Sequence, residues 1–162
     1  PWEKRGKRMD EMMDIVRGLL TGEYFSYDGE IFQIESMQIT PAPSKPVPML
    51  IGGHSRPALR RAALRADGFI HAGGTSDELK ALVDEIDGYR KEYGRDHLPF
   101  EYQSMGAEAF SVDGVKKLED LGVGEAIVAF RNPYEGGEDS QSLEDKIGAL
   151  RWFADNVIRK TR

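Results

Sequence analysis

The 162-residue sequence contains no cysteine. Disulfides, thiolate nucleophiles and cysteine-bound zinc or iron–sulfur centres are therefore excluded. No apolar run approaches the ~18 residues of a membrane span. No signal peptide is legible either, so the cytoplasm is the expected compartment. Histidine is scarce. His54, His71 and His97 are the only three, and none stands at H-x-x-x-H or H-E-x-x-H spacing, so no metal site is expected. Positive charge is outweighed: 22 Lys and Arg face 28 Asp and Glu, a net −6 that argues against general nucleic-acid binding. There is no internal repeat and no low-complexity segment. What is present is ordinary for a globular chain, with 40% hydrophobic residues, eight prolines and enough length for one domain with a real core.

The most informative stretch is 47–76. Met49, Leu50 and Ile51 form a short apolar run ended by Gly52-Gly53, and Phe69 to Ala72 forms a second ended by Gly73-Gly74. Both read as buried strands. Between them, Ser55 is placed to cap a helix and Pro57 suits its first turn. A strand–helix–strand unit makes parallel strands, and ligands of parallel sheets bind at the strand carboxyl ends. Two glycines put no side chain over the backbone amides there. Each pair also opens a helix, whose first amides are unpaired and carry the positive end of the dipole. The loops therefore read either as a cradle for a phosphate or acidic group, or as tight turns that need glycine for geometry alone.

The rest of the chain supplies the frame. Residues 3–20 predict a helix with Met9, Met12, Met13, Val16, Leu19 and Leu20 as its core stripe. Asp28-Gly29, flanked by 25–27 and 31–34, predicts a hairpin, either a flap at the mouth of a site or an ornament. Four prolines in 40–48 make a stiff connector. A helix at 56–66 carries Arg56, Arg60, Arg61 and Arg65, and Arg56 lies in its first turn near the cradle. Thr75 to Glu78 reads as a capping box ahead of a helix to 93. A third strand is expected at 100–110, a short helix at 112–121 and a fourth strand at 125–130. A polar loop follows at 131–140, where Arg131 could meet an acidic ligand. A helix over 142–160 ends the chain, with Ile147, Leu150, Phe153, Ala154, Val157 and Ile158 on one face. His54 and His71 both fall at strand ends, whereas His97 falls in a surface loop. Gly53 to Pro57 begins like the G-x-S-x-G elbow of hydrolases, but its last position is proline and triads do not set His beside Ser, so a hydrolase is set aside.

Ile51 to Ser55, Ala58-Leu59-Arg60-Arg61-Ala62-Ala63 and Asp67-Gly68 together resemble the luciferase-like monooxygenase family, most closely its coenzyme F420-dependent oxidoreductases. Arg5 to Glu11, Leu20 to Glu23, Asp28-Gly29-Glu30, Pro41-Ala42-Pro43 and the closing helix fit the same pattern, so the resemblance covers nearly the whole chain. It implies an α/β fold, the TIM (β/α)8 barrel of the bacterial-luciferase type, with a β-hairpin insertion and the cofactor at the strand carboxyl ends. Such a barrel takes about 250 residues, so the chain is expected to be its carboxyl-terminal half. It would form a single domain: a helix at 1–22, hairpin and connector at 23–48, βα units at 49–130 and a terminal helix at 141–162.

The function so implied is hydride transfer between a deazaflavin and a small organic substrate. Gly52, Gly53, His54 and Ser55 would hold one part of the cofactor. Gly73, Gly74, Thr75 and Ser76 would donate to its phosphate, although the lysine that some deazaflavin enzymes carry in that loop is missing. Catalytic residues would come largely from the other half, and none is assigned. Two alternatives stand beside this reading: an FMN-dependent monooxygenase of the same family, and a non-catalytic piece that only assembles with itself or a partner. Open sheet edges in a half-barrel would favour a homodimer, and the isolated chain would lack turnover.

Overall fold

The computed structural model describes residues 2–131 and 137–161. The chain divides into two compact units, Pro1–Met49 and Leu50–Arg162.

The first unit is a helix and a hairpin. After a short 3-10 turn, Trp2–Lys4, helix α1 runs Arg5–Leu19. Strands β1 (Phe25–Asp28) and β2 (Gln33–Met37) pair antiparallel, with a bulge between Phe25 and Tyr27. The methionine stripe is core only in part. Met13 and Ile15 are buried, whereas Met9, Met12 and Val16 remain exposed. Gly18 permits the contact between helix and hairpin, because a β-carbon there would fall inside the Phe25 ring.

The turn also differs from expectation. The predicted hairpin forms, but Asp28 pairs with Gln33, so the loop is Gly29 to Phe32 rather than residues 28–30. The cause is Glu11, which lies buried on α1. Its carboxylate accepts from the amides of Glu30, Ile31 and Phe32, each at 3.0 Å. Amides that a tight turn would spend on the ladder are spent on this one side chain. Burial pushes the Glu11 carboxyl up. The three amides and the nearby Lys7 charge more than reverse this, and hold it below the usual carboxylate range.

A carboxyl with a depressed folded pKa contributes stability that is complete above its unfolded value of about 4.3 and is lost as pH falls through the folded value. Glu11→Gln keeps the shape but loses the charge and one acceptor oxygen. We expect the hairpin amides of residues 30–32 to exchange with solvent at least about tenfold faster at pH 7, with α1 still helical by circular dichroism. Unchanged exchange would remove Glu11 from this role.

The second unit is a four-stranded parallel sheet. Its strands are β3 (Leu50–Gly52), β4 (Gly68–His71), β5 (Glu101–Ser104) and β6 (Val123–Ala126), adjacent in that order. Helices α2 (Arg56–Arg65), α3 (Ser76–Glu92) and α4 (Val112–Asp120) make the crossovers. With strands in sequential order and right-handed crossovers, all three helices cover one face. The register shows it: Ile51, Phe69, Tyr102 and Val123 stand side by side and all are buried. On the other face Gly52, Ile70, Gln103 and Glu125 align, and Gln103 Nε2 donates to Glu101 Oε1 at 2.7 Å and Glu125 Oε2 at 2.8 Å. This is the α/β architecture with half the eight strands of a TIM barrel.

Two predicted strands are shorter than expected. β5 stops at Ser104, because the Ser104 hydroxyl takes the Gly106 amide and residues Ala107–Phe110 coil into a 3-10 turn. β6 begins after Gly122, whose φ is +81°, and its ladder extends only as far as β5 offers partners, so residues 127–130 leave the sheet. The terminal helix is likewise less amphipathic than predicted. Helix α5 (Leu143–Phe153) buries no residue and continues through a π-helical turn, Ala154–Ile158, where only Val157 is buried. It is tied down by a triangle of edge-to-face rings, Phe110, Phe130 and Phe153, with centroids 5.6 to 5.7 Å apart. Among the described residues no helix is long and apolar enough to cross a membrane.

Candidate functional site

The two Gly-Gly loops emerge at the carboxyl ends of the adjacent strands β3 and β4, as the sequence implies. Gly53, Gly73 and Gly74 have φ of +113°, +110° and +123°, a region closed to most side chains. Gly52 is different: it ends β3 with no positive φ. Among the described residues the amides of His54, Ser55, Gly73 and Gly74 have no protein partner. A cleft of about 400 Å³ opens between the loops, lined by His54, His71, Gly73, Gly74, Glu78 and the second turn of α3.

The helix starts that flank the cleft are not alike. Ser55 occupies the N-cap position of α2, but its side chain accepts no hydrogen bond, and the first turn holds no acidic residue. Arg56 there points to Glu85 on α3 at 3.7 Å. Arg60 lies over the Tyr89 ring at 4.8 Å, so two of the four arginines hold α2 to α3. At α3 the predicted capping box is present. Glu78 Oε2 accepts from the Thr75 amide at 2.7 Å, and the Glu78 amide donates back to Thr75 Oγ1 at 3.2 Å. The Ser76 amide donates to Glu108 Oε1 at 2.9 Å. The first amides of α3 are therefore already served by two carboxylates, Glu78 and Glu108, whereas the first turn of α2 contains no acidic residue.

His71 lies between these parts. It ends β4 on the helix-covered face and is 1% exposed. Its Nδ1 is 3.2 Å from the buried Ser104 hydroxyl, and its ring stacks on that of His54 with centroids 5.8 Å apart. Burial, then the His54 imidazole, holds its pKa below the ordinary histidine value, so the ring is neutral at pH 7. Its Nε2 is buried and has no hydrogen-bond partner. A buried polar group left unpaired costs about 1–3 kcal/mol.

Of the predicted site residues, His54, Gly73 and Gly74 line this cleft, whereas Gly52, Gly53, Ser55, Thr75 and Ser76 are not among its lining. The structure adds Glu78, Glu108 and Ser104, which sequence reasoning did not select. Glu108 carries no local signal, since it is 32 residues from the amide it receives. Ser104 becomes visible only through the register that sets it opposite His71. Arg131 instead donates to the carbonyl of Gly137 at 2.8 Å, within its own loop, whose residues 132–136 lie outside the described residues. His97 is exposed in a loop.

Residues 1–110 match the family model described as luciferase-like monooxygenase. An uncharacterized protein of Mycobacterium tuberculosis (strain ATCC 25618 / H37Rv) is 51% identical over 160 residues, which cover 99% of this chain and 55% of that protein. The F420-dependent glucose-6-phosphate dehydrogenase of Nakamurella multipartita is 34% identical, covering 99% of this chain and 51% of that enzyme. The FMNH(2)-dependent dimethylsulfone monooxygenase of Pseudomonas putida is 30% identical over 91 residues, 53% of this chain and 25% of the other. Among solved structures, the coenzyme F420 dependent tetrahydromethanopterin reductase of Methanopyrus kandleri superposes with a TM-score of 0.74. The superposition covers 97% of this chain and 64% of that one; at 13% identity it establishes the fold alone. The chain spans about half the length of the first two of these relatives.

Proposed function

This chain belongs to the luciferase-like monooxygenase family, and from that membership we propose that it is the cofactor-holding part of an oxidoreductase that passes hydride between coenzyme F420 and a small organic substrate. The observation that carries the proposal is the cleft lined by His54 of one strand-end loop and Gly73 and Gly74 of the other, with Gly53, Gly73 and Gly74 at positive φ. Bound there, a deazaflavin would supply the hydride chemistry. The chain's own residues bind and orient.

The residues fit an anionic cofactor end best at the first loop. His54 and Ser55 present unpaired amides at the start of α2, and no carboxylate stands in its first turn. Gly52 brings the backbone to the mouth without a side chain. At the second loop the amides of Thr75 and Ser76 already serve Glu78 and Glu108, so those two residues shape the loop, and Gly73 and Gly74 receive an uncharged part of the ligand. The relative from Nakamurella multipartita, named as F420-dependent, favours the deazaflavin. The FMNH(2)-dependent relative supports a second reading, an FMN monooxygenase.

Fluorescence titration with F420 and, separately, with FMN tests the choice. Saturable binding of F420, tighter than that of FMN, is the expected result. The reverse order moves the assignment to the flavin. Binding of neither overturns the cofactor role and leaves an assembly module, whose open edges at β3 and β6 would show as a homodimer by sedimentation.

A further inference from the structure

We infer that His71 is a hydrogen-bond donor to the bound ligand, giving its Nε2–H to an uncharged acceptor oxygen, a hydroxyl or carbonyl, seated at the Gly73–Gly74 turn. The inference rests on the ligand site proposed above and adds a residue and a chemistry to it.

The tautomer follows from the neighbours. Ser104 Oγ accepts the Gly106 amide at 3.1 Å and lies 3.2 Å from His71 Nδ1. Its own hydrogen needs an acceptor, and Nδ1 is the one in reach among the described residues. If the serine donates to Nδ1, the ring proton sits on Nε2 and both serine functions are satisfied. The opposite tautomer leaves the serine hydrogen and Nε2 both without partners. Nε2 is thus a donor by default, and among the described residues it is the buried side-chain atom left without a partner.

The direction follows from Gly74. A β-carbon built there would lie 3.3 Å from His71 Nε2 and 2.6 Å from Glu78 Oε2. The donor therefore sits directly beneath the turn, at the floor of the cleft. Two successive glycines at positive φ leave that turn free of side chains and able to yield to a ligand atom. The charge of the acceptor follows from what is near. His71 is neutral, and the carboxylates of Glu78 and Glu108 stand at the same turn. A phosphate dianion placed there would meet two like charges. A hydroxyl or carbonyl oxygen meets no such penalty.

Long-range proton–nitrogen NMR on histidine-labelled protein tests this. The free protein should show His71 neutral with its proton on Nε2; a proton on Nδ1 overturns the inference. On titration with F420 or FMN the His71 Nε2 signal should move with the same midpoint as the fluorescence change, while inorganic phosphate should leave it in place. His71→Phe should weaken binding at least about tenfold, and Ser104→Ala should weaken it less while mixing the two tautomers. A cofactor that binds with His71 silent overturns the inference but leaves the proposed function standing. If neither F420 nor FMN binds by fluorescence, both fall. A response to phosphate overturns the uncharged-acceptor assignment.

Discussion

Phe69→Ala is expected to cost the Leu50–Arg162 unit about 3–5 kcal/mol of unfolding free energy. Phe69 is 0% exposed, the largest fully buried side chain among the described residues. It sits on β4, between β3 and β5, with Ile51 and Tyr102 beside it in register. Helices α2 and α3, on the face of the sheet that Phe69 occupies, bury Leu59, Ala62 and Ala63, and Leu79 and Ile86, respectively. The alanines are too small to collapse into the space a lost ring would leave, so most of the cavity would persist. Domains of this size are stable by only about 5–15 kcal/mol, so one substitution would remove a large share. The measurement is a urea titration: the midpoint should fall with little change in slope. Phe69→Leu should cost clearly less. A loss under about 1 kcal/mol for the alanine variant would mean that the core is not centred on this strand.

Gly53→Val should reduce cofactor affinity at least about tenfold, or ~1.4 kcal/mol. At φ +113° a β-branched residue pays about 1–3 kcal/mol of backbone strain. Its β-carbon would also stand 3.2 Å from that of Ala58. The loop can relieve both only by turning its peptides, which moves the unpaired amides of His54 and Ser55. The sheet itself survives, because Gly53 lies beyond the last residue of β3. Gly124→Ala is the control: a β-carbon there meets nothing within 4 Å, and neither stability nor affinity should change. Titration of both variants beside the parent decides the matter, and a folded Gly53→Val protein with parental affinity would dismiss the first loop as the anion site.

What the sequence disclosed was whatever is written in local pattern. The run at 49–51, the two glycine pairs, the Thr75–Glu78 box and the alternation of strand and helix are all short-range signals, and each appears in the structure within one or two residues. The lengths of β5 and β6 are not local. They depend on where a partner strand stops and on a serine hydroxyl that claims the next amide. The hairpin is local and is present, but its loop reaches Phe32 for a reason that is not local: Glu11, about twenty residues upstream, takes the loop amides with its carboxylate. His71 shows the other limit. Its place at a strand end was legible, but its orphaned nitrogen was not, because that depends on Ser104, 33 residues away, and on the hollow under Gly74.

The sheet's connectivity also dictates an order of events in time. In the hairpin, Asp28 meets Gln33 across five residues (33 − 28), a closure completed in about 1–10 μs. In the parallel sheet, Leu50 meets Gly68 across 18 (68 − 50), Gly68 meets Glu101 across 33 (101 − 68), and Tyr102 meets Val123 across 21 (123 − 102). These longer closures cost more chain entropy, so the parallel pairings are expected to form more slowly than the hairpin. The helix-and-hairpin unit can therefore be in place while the strands that carry both glycine loops are still searching. The cleft comes into being only with the pairing of β3 to β4, so a newly made chain acquires its fold from the amino-terminal side and its ligand-holding end late.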